Sequence, residues 1–241
     1  MLNEKEALEK ELLLLLSESF QPLGCGSLCA LLQGKGFQIS EATIGRMLRA
    51  FDFRGFTEKS GFQGRCLSKA GEDRLKDIIH AERRQQWGEE LNQAIKGHTK
   101  EQLLEILVAR SAIEGALAEL AARKATDEDI ASLAAILQRQ KYGIETDRTT
   151  ASEDVAFHAE LARIAGNKIL AASIGLIRQD HQLSPVLELV RRQVGSKFYI
   201  DHSRIVKAIR DHDAGKAKKA MCRHIEGLMQ DVEKYWGDVT G

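Results

Sequence analysis

Apolar positions recur at helical spacing along almost the whole chain, and a strand-like pattern occurs in one short stretch. A charged start from Lys5 leads into the run Leu12 to Leu16 and predicts a first helix to Ser17, ended by Pro22 and the glycines at 24 and 26. Ser27 opens a short helix, Leu28 to Gln33, stopped by Gly34 and Gly36. Ser40 is an N-cap for a third helix, Glu41 to Asp52, with Ile44, Met47, Leu48 and Phe51 as its buried stripe. The other face carries Thr43, Gly45, Arg46 and Arg49. Gly55 to Lys59 and Arg65 to Ser68 then read as two short strands joined by the glycine-rich turn 60–64. Two helices meeting through a Gly-bearing turn, then a hairpin, outline a helix-turn-helix with a wing.

Glu72 to Ala94 is strongly charged, with apolar residues sparsely placed, and reads as a connecting helix that breaks at Gly97 and His98. This divides the chain into residues 1–97 and 98–241. Beyond the break every pattern is helical. Thr99 caps a helix to about Lys124, Thr126 caps one that ends near Gly143, and a third covers the stretch from Ser152 to Gly166. Lys168 to Asp180, Pro185 to Arg192, Asp201 to Ala214 and Lys216 to Trp236 complete the set. The fold class is therefore mostly α, a winged helix-turn-helix followed by an all-α bundle of six or seven helices.

Composition agrees, with two prolines, 5% aromatic and 43% hydrophobic residues in 241. A formal net charge of zero excludes a generic polyanion binder. Charge is segregated, however: from Arg46 to Lys69 there are six basic residues against two acidic ones, which suits phosphate binding. The four cysteines show no C-x-x-C pair and no signal peptide precedes them, so reduced thiols in a cytoplasm are expected. Cys25 and Cys29, at helical spacing, are read as small buried apolar residues rather than metal ligands. The apolar run Leu12 to Leu16 is far short of the ~20 residues that span a bilayer.

The candidate chemistry lies in the second half. Asp154 and His158 are one turn apart on the same helix face, and His202 and His224 fall on the inward stripes of two further helices. Such a set can share a divalent metal, and its nitrogen-rich character favours zinc or nickel. The competing reading is that these are hydrogen-bonded core histidines. His80, His98, His181 and His212 are expected at the surface.

Residues 5–88, with I-S-E-A-T-I-G-R-M-L-R, a wing and L-S-K-A-G, resemble a winged helix-turn-helix. That resemblance implies double-stranded DNA as partner, Thr43, Arg46 and Arg49 as contacts from the recognition helix, and Lys59 and Arg65 as phosphate contacts from the wing. R-S-A-I-E at Arg110 to Glu114, D-V-A-F-H-A-E-L-A-R-I-A-G-N, D-H-S-R-I-V-K-A-I-R-D-H-D and A-M-C-R-H-I are similar to the ligand-binding domain of the FadR subfamily of GntR-type bacterial repressors, over about residues 99–235. This second resemblance implies a homodimer with a divalent metal on Asp154, His158, His202 and His224, and a small carboxylate effector near Arg110 and Asn167. Alternatively Arg110 pairs with Glu114, and Asn167 merely caps a helix. The recognition helix, T-I-G-R-M-L-R, departs from the usual GntR pattern and looks more like the winged helix ahead of ribonuclease R and in some archaeal nitrogen regulators. The expectation is a metabolite-responsive transcriptional regulator and not an enzyme. The alternative is a metal-dependent hydrolase with a nucleic-acid tether, against which stands the lack of any H-E-x-x-H.

Overall fold

The computed structural model describes residues 4–96, 99–178, 183–196 and 199–240. Among them are eleven helices and two strands, in two compact units, Met1–Leu91 and Asn92–Gly241. The break expected at Gly97 and His98 lies outside the described residues.

The first unit holds α1 (Glu4–Glu18), α2 (Cys25–Gly34), α3 (Glu41–Phe53), β1 (Thr57–Ser60), β2 (Gly64–Leu67) and most of α4 (Lys69–Ala94). Ser40 caps α3 as its spacing predicts, the side chain accepting from the Thr43 amide. Helix α2 starts earlier than expected, at Cys25, because the backbone of Gly24 serves as its cap and Gly26 is absorbed into the first turn. Leu12, Leu28, Leu32, Ile44 and Leu48 are fully buried and join three helices in one core. The strands pair antiparallel from Thr57↔Leu67 to Ser60↔Gly64, and Leu23 adds a bridge to Arg65, so the wing is tied at its base.

Gly64 makes that tie possible. Its φ of +134° is one that side-chain-bearing residues rarely adopt, and an added Cβ would stand 2.6 Å from the Gly24 nitrogen and closer still to the Leu23 carbonyl. Gly64→Ala is expected to destabilise the unit by about 1–3 kcal/mol in urea denaturation. An unchanged midpoint would contradict this bracing.

The second unit is the predicted bundle: α5 (Lys100–Lys124), α6 (Asp127–Glu145), α7 (Ala151–Ala165), α8 (Lys168–Arg178), α9 (Leu183–Gln193), α10 (Tyr199–Arg210) and α11 (Ala214–Thr240). Thr99 and Thr126 form complete capping boxes with Gln102 and Asp129, and Gly166 closes α7 in the left-handed region at φ 60°. Helix α10 stops short of its expected end because His212 turns the backbone at φ 50°. Helix α5 packs on α11 and α7, while α10 bridges α11 and α6. Leu107, Leu133, Phe157, Ile205, Met221 and Ile225 fill the space between them. The polar residues considered next lie in the same interior.

Candidate functional site

Three helices bring four polar side chains together. Helix α7 supplies Asp154 and His158, α10 His202 and α11 His224, and one ligand-type atom from each lies within 4.8 Å of the others. The three histidines are at most 4% exposed, and His202 stacks on Phe157 with ring centroids 4.2 Å apart. His158 Nε2, His202 Nε2 and both nitrogens of His224 are buried without a hydrogen-bond partner among the described residues. Unpartnered buried nitrogens are costly, so a set of them facing one point beside a carboxylate fits a divalent ion better than it fits a core of satisfied histidines.

Three of the four candidate ligands are also braced from outside, as is usual for metal ligands. The Glu114 carboxylate lies 2.5 Å from His158 Nδ1, and because an ionised carboxylate only accepts, the proton sits there and Nε2 keeps its lone pair. Asp154 Oδ2 accepts from Arg178 at 2.6 Å and from the Ser184 hydroxyl at 2.7 Å. That leaves Oδ1 toward the imidazoles, 3.6 Å from Nε2 of both His158 and His202. Gln140 Oε1 lies 3.0 Å from His202 Nδ1, and Asp201 stands 3.7 Å from His224 Nδ1.

Electrostatics keep His202, His224 and Asp154 in their ligating forms. Burial holds His202 well below the ordinary histidine range, with His224 adding to the effect. Burial likewise pushes His224 down to about 4, against the opposing pull of Asp201. Burial alone would raise Glu114 and Asp154. Arg110, His158 and Arg178 together hold Glu114 well below the usual carboxylate range, and Arg178 with His158 does the same for Asp154.

Beside the cluster is a cavity of about 30 Å³ lined by, among others, Arg110, Asp154, Ser184, Glu188, Arg191 and His224. Arg110 satisfies both readings of it, since it pairs with Glu114 at 2.7 Å and also borders the cavity. Asn167 does not line the cavity. Its carboxamide accepts from the Ile169 and Leu170 amides, each at 3.1 Å, and its placement is that of a cap on α8 rather than an effector contact.

In the first unit, Thr43, Arg46 and Arg49 lie on the outward face of α3, with Arg46 donating to Thr43 at 3.1 Å. Lys59 is two-thirds exposed in the wing. Arg65 is a correction: both arms of its guanidinium bind Asp52 at 2.8 Å and only 16% of the side chain is exposed, so it braces the wing against α3. The six-to-two basic excess is likewise smaller in space than in sequence, because Arg54 reaches Glu9 and Lys69 reaches Glu72 and Asp73. Cys25 and Cys29 donate to the Glu41 and Ile39 carbonyls. Among the remaining histidines, His80 and His212 are exposed, and His98 and His181 lie outside the described residues.

Gln140, Arg178, Ser184 and Arg191 were not singled out from sequence. A signal existed for Gln140, which stands seven residues after Leu133 on the buried stripe of α6, where a polar side chain needs a reason.

A winged helix-turn-helix carried in one chain with an all-helical bundle that has a carboxylate and three imidazoles at its centre defines the class. The chain belongs to the FCD-domain family, its residues 105–227 matching the FCD domain. Residues 10–75 match the ribonuclease R winged-helix domain, in line with the departure of its recognition helix from the GntR pattern. The Uxu operon regulator of Haemophilus influenzae is 33% identical over 140 residues, 54% of this chain and 53% of that protein. The global nitrogen regulator NrpRI of Methanosarcina mazei is 34% identical over 73 residues, 30% of this chain and 23% of that protein. The chain thus spans about half the length, or less, of these curated relatives. In fold it is similar to the solved structure of E. coli McbR/YncC, with TM-score 0.50 and 15% identity over 98% of this chain and all of that one. No helix among the described residues is long and apolar enough to cross a membrane.

Proposed function

We propose that the chain is a metabolite-responsive bacterial transcriptional regulator that binds an operator as a homodimer. In this reading Thr43, Arg46 and Arg49 enter the major groove, and Lys59 meets phosphate. The bundle holds zinc or nickel on Asp154, His158, His202 and His224, with a small carboxylate effector beside it at Arg110 and Arg191. The observation that carries the reading is the convergence of four ligand atoms within 4.8 Å, three of the side chains having nitrogens without partners. When bound, the ion supplies positive charge that a carboxylate oxygen can meet. Arg110 and Arg191 at the cavity wall add positive charge toward the rest of the acid.

A space of about 30 Å³ is well below the roughly 150 Å³ of a cavity that takes a benzene, so an organic acid needs the cavity to widen. That difference between closed and widened arrangements is what would let an effector shift DNA affinity, since equal affinity for both would shift nothing. The two relatives named above are an operon regulator and a nitrogen regulator, which favours this reading over the hydrolase. So does Glu114, the nearest further carboxylate, because Arg110, Arg178 and His158 occupy its oxygens and leave it poorly placed as a general base.

The test is a mobility-shift titration with DNA from directly upstream of the chain's own coding sequence, with and without small carboxylic acids. Arg46→Ala is expected to weaken binding about tenfold or more and to leave the fold unchanged. Binding that is indifferent to Arg46→Ala and Arg49→Ala at low salt sinks the assignment of α3.

A further inference from the structure

Building on the metal reading above, we propose that Gln140 is the positioning residue that decides which nitrogen of His202 is free to ligate, and that as an amide it leaves the choice reversible. Gln140 is fully buried in α6, with Oε1 3.0 Å from His202 Nδ1 and Nε2 without a partner. Packing does not explain it: a leucine would continue the stripe of Leu133, Ile136 and Leu137 without burying an unpaired amide.

The contrast with Glu114 is chemical. A carboxylate can only accept, so His158 is permanently set with its proton on Nδ1. A carboxamide offers either end, accepting from a protonated Nδ1 or, turned over, donating to a bare one. In both orientations one bond to His202 is made and the far end of the amide stays unpaired, so the hydrogen-bond count favours neither. On its other side His202 Nε2 faces Asp154 Oδ1 at 3.6 Å, too far to hold a proton in place, and the His158 and His224 imidazoles of the same cluster make no hydrogen bond to it. Before a metal binds, His202 therefore populates both tautomers. A cation at Nε2 forces the proton to Nδ1 and Gln140 Oε1 toward it. The bundle thus carries one preset imidazole and one resettable imidazole, and the reset costs metal binding only about the factor of two that two populated tautomers imply.

The test uses the full chain, with ¹⁵N imidazole spectra after chelator treatment and zinc affinity by competition with a chelator. In metal-free wild type, His158 should show one tautomer, and His202 shifts averaged between two. Gln140→Glu should collapse His202 to the Nδ1-protonated form, while Gln140→Leu, which removes the partner of Nδ1, should weaken zinc about tenfold. If Gln140→Leu fails to fold, the spectra and Gln140→Glu carry the test. A single His202 tautomer in metal-free wild type, or a Gln140→Glu variant whose His202 still averages between two tautomers, overturns the inference while the metal reading stands. Wild type that takes no zinc overturns both.

Discussion

Zinc is expected to raise the melting temperature of the wild-type chain, and His202→Ala to abolish that rise. A ligand at one hundred times its dissociation constant stabilises the folded state by about 2.7 kcal/mol. For a unit of this size that corresponds to roughly 5–10 °C. His202 is one of four donors and the one whose ring stacks on Phe157, so its loss removes a ligand and also leaves a cavity in the core. The variant will start from a lower melting temperature for that second reason alone. The informative quantity is therefore the difference with and without zinc, measured in parallel on His202→Asn, which keeps more of the side-chain volume. Equal zinc-dependent shifts in wild type and both variants would falsify the site.

Glu114→Ala should cost the bundle about 3–5 kcal/mol, the range for breaking a buried ion pair from one side. Glu114 is 1% exposed and is shared by Arg110, Arg178 and His158. Arg178 keeps Asp154 when Glu114 is removed. Arg110 is left buried with no other carboxylate in ion-pair range among the described residues. Glu114→Gln keeps an acceptor and should lose less. Urea denaturation separates the two, and a loss below about 1 kcal/mol for Glu114→Ala would show that Arg110 finds water or another partner at little cost.

Elements whose ends are set by local chemistry were legible in the sequence. Ser40, Thr99, Thr126 and Gly166 cap their helices where their spacing placed them, because a cap is an interaction across only a few residues. The start of α2 was not legible, since Gly24 caps it with backbone and no side-chain signal. Nor was the end of α10, where a histidine rather than a glycine takes positive φ.

The same divide runs through the site. Asp154 and His158 could be picked out because they stand one turn apart on one helix face, and His202 and His224 because each interrupts an apolar stripe. Their braces come from other elements: Glu114 lies on α5, Gln140 on α6, Arg178 on α8 and Ser184 on α9, and spacing within one helix cannot say what faces it from another. Arg65 misled for the same reason. Its basic charge read as a wing contact, but its partner Asp52 lies thirteen residues earlier, across a turn whose register sequence alone does not set.

The small size of the cavity has a consequence for the tempo of any response. At about 30 Å³ the space beside His224 does not take an organic acid as it stands, so binding is coupled to a widening of its walls. Association would then level off at high acid concentration, at the rate of that opening, well below the encounter rate. A regulator built this way would follow sustained changes in its effector and pass over brief ones.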